Sequence, residues 1–165
     1  MPYAVTHILT ALVSAEFIRD YLYKDGIKRY HVLIAGIAGL LPDLDFALFW
    51  ILKLFFNNNI NLNSVHRVYT HTFMIPLFLV LLVLIIKKWR LPLLAIAFGF
   101  SVHLVLDAIL AGYIYPIYPF SAVGIGWDLI KDEKVMVQVF ASIDSILLVL
   151  WLLHEEFKHK ISSYF

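Results

Sequence analysis

From Phe73 to Ile86 the chain carries no polar side chain. Such a run must either be buried on all sides in a soluble core or cross hydrocarbon as a helix, which closes its own backbone hydrogen bonds and turns apolar side chains to lipid. The remaining composition decides between the two. Apolar residues make up 62% and charged residues 15%, against soluble norms of roughly 45–50% and 25%. One soluble domain of 165 residues cannot bury that much apolar surface. The sequence therefore reads as an all-α integral membrane bundle, a single transmembrane domain over residues 1–165.

About 20 residues at a 1.5 Å rise cross the hydrocarbon core, and five segments fit that length. The first runs from Tyr3 to Phe17 or beyond; it has no basic residue before Arg19 and so lacks the basic start of a cleaved signal peptide. The second runs from His31 to Leu52 and is broken at Pro42-Asp43. The third runs from Val68 to Ile86, the fourth from Leu91 to Gly112, and the fifth from Val135 to Leu153 with Asp144 near its centre. Tyr113 to Trp127 is uncharged but interrupted by Pro116, Pro119, Gly124 and Gly126, and reads as an interfacial or re-entrant loop. Arg19, Lys24, Lys28, Arg29, Lys87, Lys88, Arg90, Lys158 and Lys160 fall on one side of this layout, against Arg67, Lys131 and Lys134 on the other. The excess of basic residues marks the cytoplasmic side. The N-terminus is then outside and the C-terminus inside.

A net charge of +1 supplies no field for nucleic acid. With no cysteine there is no thiolate zinc site, iron–sulfur cluster or thiol nucleophile. What remains is a set of ionisable groups inside the spans, each costing about 2.5–3.5 kcal/mol to insert. In the layout above, His7, Asp43, Asp45, His66, His71, His103 and Asp107 all fall in the outer half of the bundle, where random placement would scatter them over both leaflets.

His103 and Asp107, four apart, lie about 40° apart on one helix face and can share a metal or simply hydrogen-bond. His66 and His71, five apart, would diverge by about 140° on a regular helix, so His66 belongs to a preceding loop or cap. Pro42 breaks its span, which lets Asp43 and Asp45 both turn inward; the alternative is that one of them caps the resumed helix. His7 is a ligand or a hydrogen-bonded structural residue. Arg67 offers a fixed cation suited to a phosphate or carboxylate oxygen. The role of Asp144 is open, and Glu16, His31, His154 and His159 read as solvated groups at the cytoplasmic end. Four imidazoles and three carboxylates at one depth suit zinc first, with manganese or iron as the other fits, and suit two ions better than one. Such ions acidify water and clamp a substrate oxygen, which is hydrolytic chemistry.

Thr6-His7, Leu41-Pro42-Asp43-Leu44-Asp45, His66-Arg67 with Thr70-His71-Thr72, His103-Leu104-Val105-Leu106-Asp107 and Tyr118-Pro119-Phe120-Ser121 occur in this order. With these motifs the chain resembles the YdjM-type family of membrane-bound metal-dependent hydrolases of bacteria and archaea. The resemblance spans residues 6 to 121 and implies a metal-dependent hydrolase of the prokaryotic inner membrane. The His-x-x-x-Asp element alone is similar to that of zinc-dependent phospholipases C and their nuclease relatives, an analogy only.

The expected function is thus metal-dependent hydrolysis, phosphoesterase-like, of a lipid or lipid-linked substrate from the non-cytoplasmic side. His7, Asp43, Asp45, His66, His71, His103 and Asp107 are the candidate ligands of one or two divalent ions. Asp43 or Asp45 is the candidate general base, and Arg67 the residue that stabilises charge on a phosphoryl oxygen. The partners expected are membrane lipids. The alternatives are a divalent-cation or proton transporter or channel using the same His/Asp cluster, a haem protein with paired histidines, and a structural or partner-binding membrane protein.

Overall fold

The computed structural model describes residues 3–23, 26–55, 67, 69–110 and 112–160. The described residues are helical apart from loops and one isolated antiparallel bridge between Ile114 and Ile125. The helices are α1 (Ala4–Phe17), continued by a π turn (Ile18–Leu22), α2 (Arg29–Ala38), α3 (Leu44–Phe55), α4 (Met74–Ile85), α5 (Arg90–Leu110) and α6 (Glu133–His159). A short 3-10 turn (Lys87–Trp89) joins α4 to α5.

Among the described residues two segments, Lys87–Leu110 and Lys134–His159, are long and apolar enough to cross a membrane. The other expected spans are shorter. α1 has 14 residues, α2 has 10, and α3 and α4 have 12 each. At 1.5 Å per residue these reach about 15–21 Å, short of a hydrocarbon core of about 30 Å. Two local causes account for the shortening. Between α2 and α3 the backbone steps through successive i−3 bonds at Leu40, Leu41, Asp43 and Leu44, around buried Pro42, which has no N–H to donate. α4 begins only at Met74, whose N–H is taken by the Thr72 hydroxyl at 3.2 Å.

α2 packs on α1 and α5, α4 packs on α5, and α6 packs chiefly on α1. Glycines set the closest approaches, as small residues do where helices cross in lipid. A Cβ on Gly99 would collide with the carbonyl of Ala35, and one on Gly39 would lie 2.8 Å from the carbonyl of His7. These two crossings carry the end of α2 against both α1 and α5. An apolar cluster of Leu12, Ala15, Val32 and Ala35 fills one part of the core, and Phe100, Leu104 and Ile114 another. The outer surface is apolar: Leu84, Ile85, Leu54 and Phe55 are all exposed, a patch of the kind that suits lipid.

The segment 112–132 folds back over the ends of α4 and α5. Its Trp127, Leu129 and Ile130 N–H groups reach the carbonyls of Ala108, Ile109 and Leu110, which as the last of a helix have no intrahelical partner. Its other edge meets the start of α4, where Tyr115 N–H donates to the His71 carbonyl at 3.2 Å and Phe73 N–H to that of Pro116 at 3.0 Å.

Candidate metal centre

Under this cover lies a polar centre in an apolar molecule. His7, His71, His103 and Asp107 have no exposed surface, and Asp45 has 1%. α1 contributes His7, the broken segment Asp43, the start of α3 Asp45, and α5 both His103 and Asp107. Arg67 and His71 come from the non-helical approach to α4. His66 lies outside the described residues.

Ring orientation follows from what each second nitrogen meets. His103 Nδ1 sits 2.7 Å from the Gly39 carbonyl, which can only accept, so Nδ1 carries the proton and Nε2 presents its lone pair. His71 Nδ1 lies 3.0 Å from the Thr70 hydroxyl, which itself donates to Asp45 Oδ2 at 2.9 Å. The hydroxyl therefore accepts from His71 Nδ1–H, and His71 Nε2 is also a lone pair. The two Nε2 atoms face each other at 3.3 Å. Two carboxylates stand around them. Asp107 Oδ2 is 3.3 Å from His71 Nε2 and 3.7 Å from His103 Nε2, and Asp43 Oδ1 is 3.9 and 3.7 Å from the same two atoms.

Lone pairs aimed at one another repel unless a cation lies between them. Four ligands at 2.0–2.1 Å around a tetrahedral ion stand about 3.3–3.4 Å apart, close to the shorter separations here. His7 stacks on His103 with ring centroids 3.7 Å apart and places Nε2 3.5 Å from Asp107 Oδ1. Both His7 ring nitrogens and Asp107 Oδ1 are buried without a hydrogen bond, a state that native interiors avoid. The potential ligand atoms fall into two overlapping groups, His7–His103–Asp107 and Asp43–His71–His103. This donor set fits a divalent ion of the zinc class.

Asp45 stands apart from both groups. Its Oδ2 accepts from Arg67 N–H at 2.9 Å and from Thr70, and lies 3.5 Å from His71 Nδ1. That is the position of a carboxylate that orients a histidine rather than one that meets the ion itself. Arg67 adopts φ 67, unusual for a non-glycine residue, and turns its guanidinium so that Nη2 is 3.2 Å from Asp107 Oδ2. Asp144 is half-buried on α6, with Oδ1 enclosed and without a hydrogen bond; it belongs to neither group.

A family model described as "YdjM inner membrane protein" matches residues 1–161. The chain belongs to the YdjM inner membrane protein family. No curated protein and no solved structure matches the chain.

In this YdjM-family chain several residues that build the site carry no ligand atom. Thr70 holds Asp45, and the hydroxyl of Thr72 lies 3.0 and 3.1 Å from the carbonyls of Pro116 and Tyr118, tying the covering loop down. Their signal in the sequence was their place on either side of His71. Gly39 supplies the carbonyl for His103. Gly112 has φ +116, and a Cβ there would collide with Arg67 Nη1, so glycine is needed both for the backbone and for the guanidinium. Gly112→Ala is expected to displace Arg67 from Asp107 and to cost about 1–3 kcal/mol of stability, as a buried acceptor deprived of its partner does, read by thermal unfolding of the purified chain.

Of four residues read as solvated, Glu16 and His31 are buried and His154 and His159 half-buried. Glu16 and His31 are 3% and 4% exposed. His31 Nδ1 accepts from Lys28 N–H at 2.9 Å and caps its own helix. Glu16 joins Arg19, Asp20, His154 and His159 in a second cluster at the far end of α1. Arg19 lies 2.7 Å from both Glu16 Oε1 and Asp20 Oδ1, and the Trp151 indole donates to Glu16 Oε2. Asp20 Oδ2 is 2.9 Å from His154 and 3.1 Å from His159. These atoms also fall within metal-ligating distance of one another, but Arg19 and the Lys158 ammonium, 3.2 Å from Asp20 Oδ2, already supply the positive charge.

Proposed function

We propose that this chain is a membrane-embedded, metal-dependent hydrolase that cleaves a phosphoester of a lipid or lipid-linked substrate. The observation that carries the reading is the convergence of the His71 and His103 lone pairs with Asp43 and Asp107 at the spacing of ligands around one ion. His71, His103, Asp43 and Asp107 are the residues that would hold zinc, manganese or iron, with His7 and Asp107 Oδ1 available for a second ion. When bound, such an ion acidifies water and polarises a phosphoryl or carbonyl oxygen.

The chain's own groups supply the rest. Asp43, 13% exposed at its side chain, is the more open of the two carboxylates on the broken segment and is placed to accept a proton from attacking water. Arg67, 14% exposed, meets charge building on a phosphoryl oxygen. Asp45 and Thr70 keep His71 in the tautomer that points Nε2 inward. The folded-back segment 112–132 shields these groups from bulk water, which strengthens each electrostatic contact. The basic residues at 19–29, 87–90 and 158–160 favour an orientation with the N-terminus outside, which would open the centre to the non-cytoplasmic leaflet. The apolar cluster of Leu12, Ala15, Val32 and Ala35 supports hydrolysis over passage of an ion through the bundle.

The test is elemental analysis of the full chain purified in detergent after growth with zinc and manganese, followed by a panel of phosphomonoesters and phosphodiesters that includes lipid phosphates. At least one metal per chain and turnover abolished by Asp43→Asn are expected. Less than one metal per chain in the unaltered protein overturns the reading.

A further inference from the structure

We propose that the cleft between the start of α2 and the α4–α5 turn binds one anionic phospholipid, with its phosphate on Lys87, Lys88 and Arg90 and an acyl chain in the adjoining apolar groove. The turn that joins α4 to α5 places three cations within four residues, all of them exposed. They line a cavity of about 560 Å3 whose other walls include Tyr23, Tyr30 and Trp89, and no carboxylate is among the described residues that line it. Of the basic residues nearby, Arg19, Arg29 and Lys158 lie against Glu16, Asp20 and Glu155. The charge at the turn is thus presented outward, toward a ligand and not toward the protein.

A second cavity, of about 490 Å3, continues from the first and shares Tyr23, His31, Arg90 and Leu91 with it. Its walls are apolar, with Val32 and Ala35 on α2 facing Leu94 and Phe98 on α5 and Val80 on α4. A cationic, aromatic mouth on an apolar groove is the shape of an amphiphile with one negative head. Basic pockets at helix ends hold anionic lipid heads in this way, each Lys or Arg adding to the attraction, and Tyr and Trp settle at the same interfacial level. Neither a soluble anion nor a neutral lipid uses both halves. The site is separate from the metal centre: Arg90 and His103 are thirteen residues apart on α5, about 20 Å along the axis. The bound lipid would brace α2, α4 and α5 at the end opposite the chemistry.

The full chain in zwitterionic detergent tests this by thermal unfolding against phosphatidylglycerol, phosphatidylcholine and inorganic phosphate at equal phosphate concentration. Phosphatidylglycerol alone is expected to raise Tm. The triple variant Lys87→Gln, Lys88→Gln, Arg90→Gln is expected to bind it roughly a hundredfold more weakly. Ala95→Phe, which fills the groove and keeps the charges, should also lose the response while eluting as the unaltered protein does. Lipid carried through purification by the unaltered chain, read by mass spectrometry, should be enriched in anionic species, and this readout holds even if a variant fails to fold. Equal shifts with phosphatidylcholine, a full shift with inorganic phosphate, a triple variant that keeps its response, or co-purified lipid of bulk composition each overturn the proposal.

Discussion

His71→Ala is expected to strip the centre of metal and to lower hydrolysis by more than a hundredfold without unfolding the chain. His71 Nε2 lies within 3.3–3.9 Å of His103, Asp107 and Asp43, so its removal deletes an atom that faces all three. It also relieves the lone-pair repulsion with His103, which is why the folded state should tolerate the loss. Asp45→Asn provides the graded control. It keeps the shape but weakens the hold on His71 Nδ1, and loss of a partner of this kind costs 10–100-fold in affinity or activity. The order His71→Ala, then Asp45→Asn, then unaltered protein, in both metal content and rate, is the expected result. Equal metal content in all three would show that the centre is held together by hydrogen bonds alone.

Arg19→Ala is expected to cost about 3–5 kcal/mol of stability, the range for breaking a buried ion pair from one side, and to leave metal content unchanged. Arg19 is 7% exposed and faces Glu16, Asp20 and Glu155; without it three carboxylates confront one another at the contact between α1 and α6. Because α6 meets the bundle chiefly through α1, unfolding should begin with its release, visible as an early loss of protection in hydrogen exchange over 133–159. A loss below about 1 kcal/mol would place the cluster among weakly coupled surface pairs. The same cluster fixes a pH response. Burial alone would raise the Asp20 carboxyl, but hydrogen bonds from Arg19, His154, Lys158 and His159 outweigh it and hold the group well below its usual range. In the unfolded chain Asp20 takes up its proton near pH 4. Its contribution is therefore complete above that value and is lost as the pH falls toward the folded one.

Some of the centre could be read from neighbouring residues. His103 and Asp107 share a face by spacing alone, and Pro42 announces the break that frees Asp43. The start of α4 could not be read in this way. An apolar run from Phe73 with Val68 before it looks like one helix, but Thr72 bonds to carbonyls 44 and 46 residues away, and that distant loop holds 69–73 out of helix. The second cluster was hidden for the same reason. Glu16 and Asp20 on one side and Trp151, His154 and His159 on the other are more than 130 residues apart, and each taken alone looks like a solvated group at a helix end. His31 was misread differently: its partner, Lys28 N–H, is local, and the capping position three residues into the helix was the available sign.

The sequence alone determined that the chain is helical and apolar enough for a membrane, because hydropathy and period depend only on near neighbours. It also placed His7, His103 and Asp107 within helical, apolar stretches. The tertiary structure alone decided which of them meet. Separations of 3–4 Å are set where helices cross, at Gly39 against α1 and Gly99 against α2, and by a loop that folds back over α5. Only at those crossings do Asp45 and Asp107, alike as carboxylates in the sequence, become an orienting group on one side of His71 and a candidate ligand on the other.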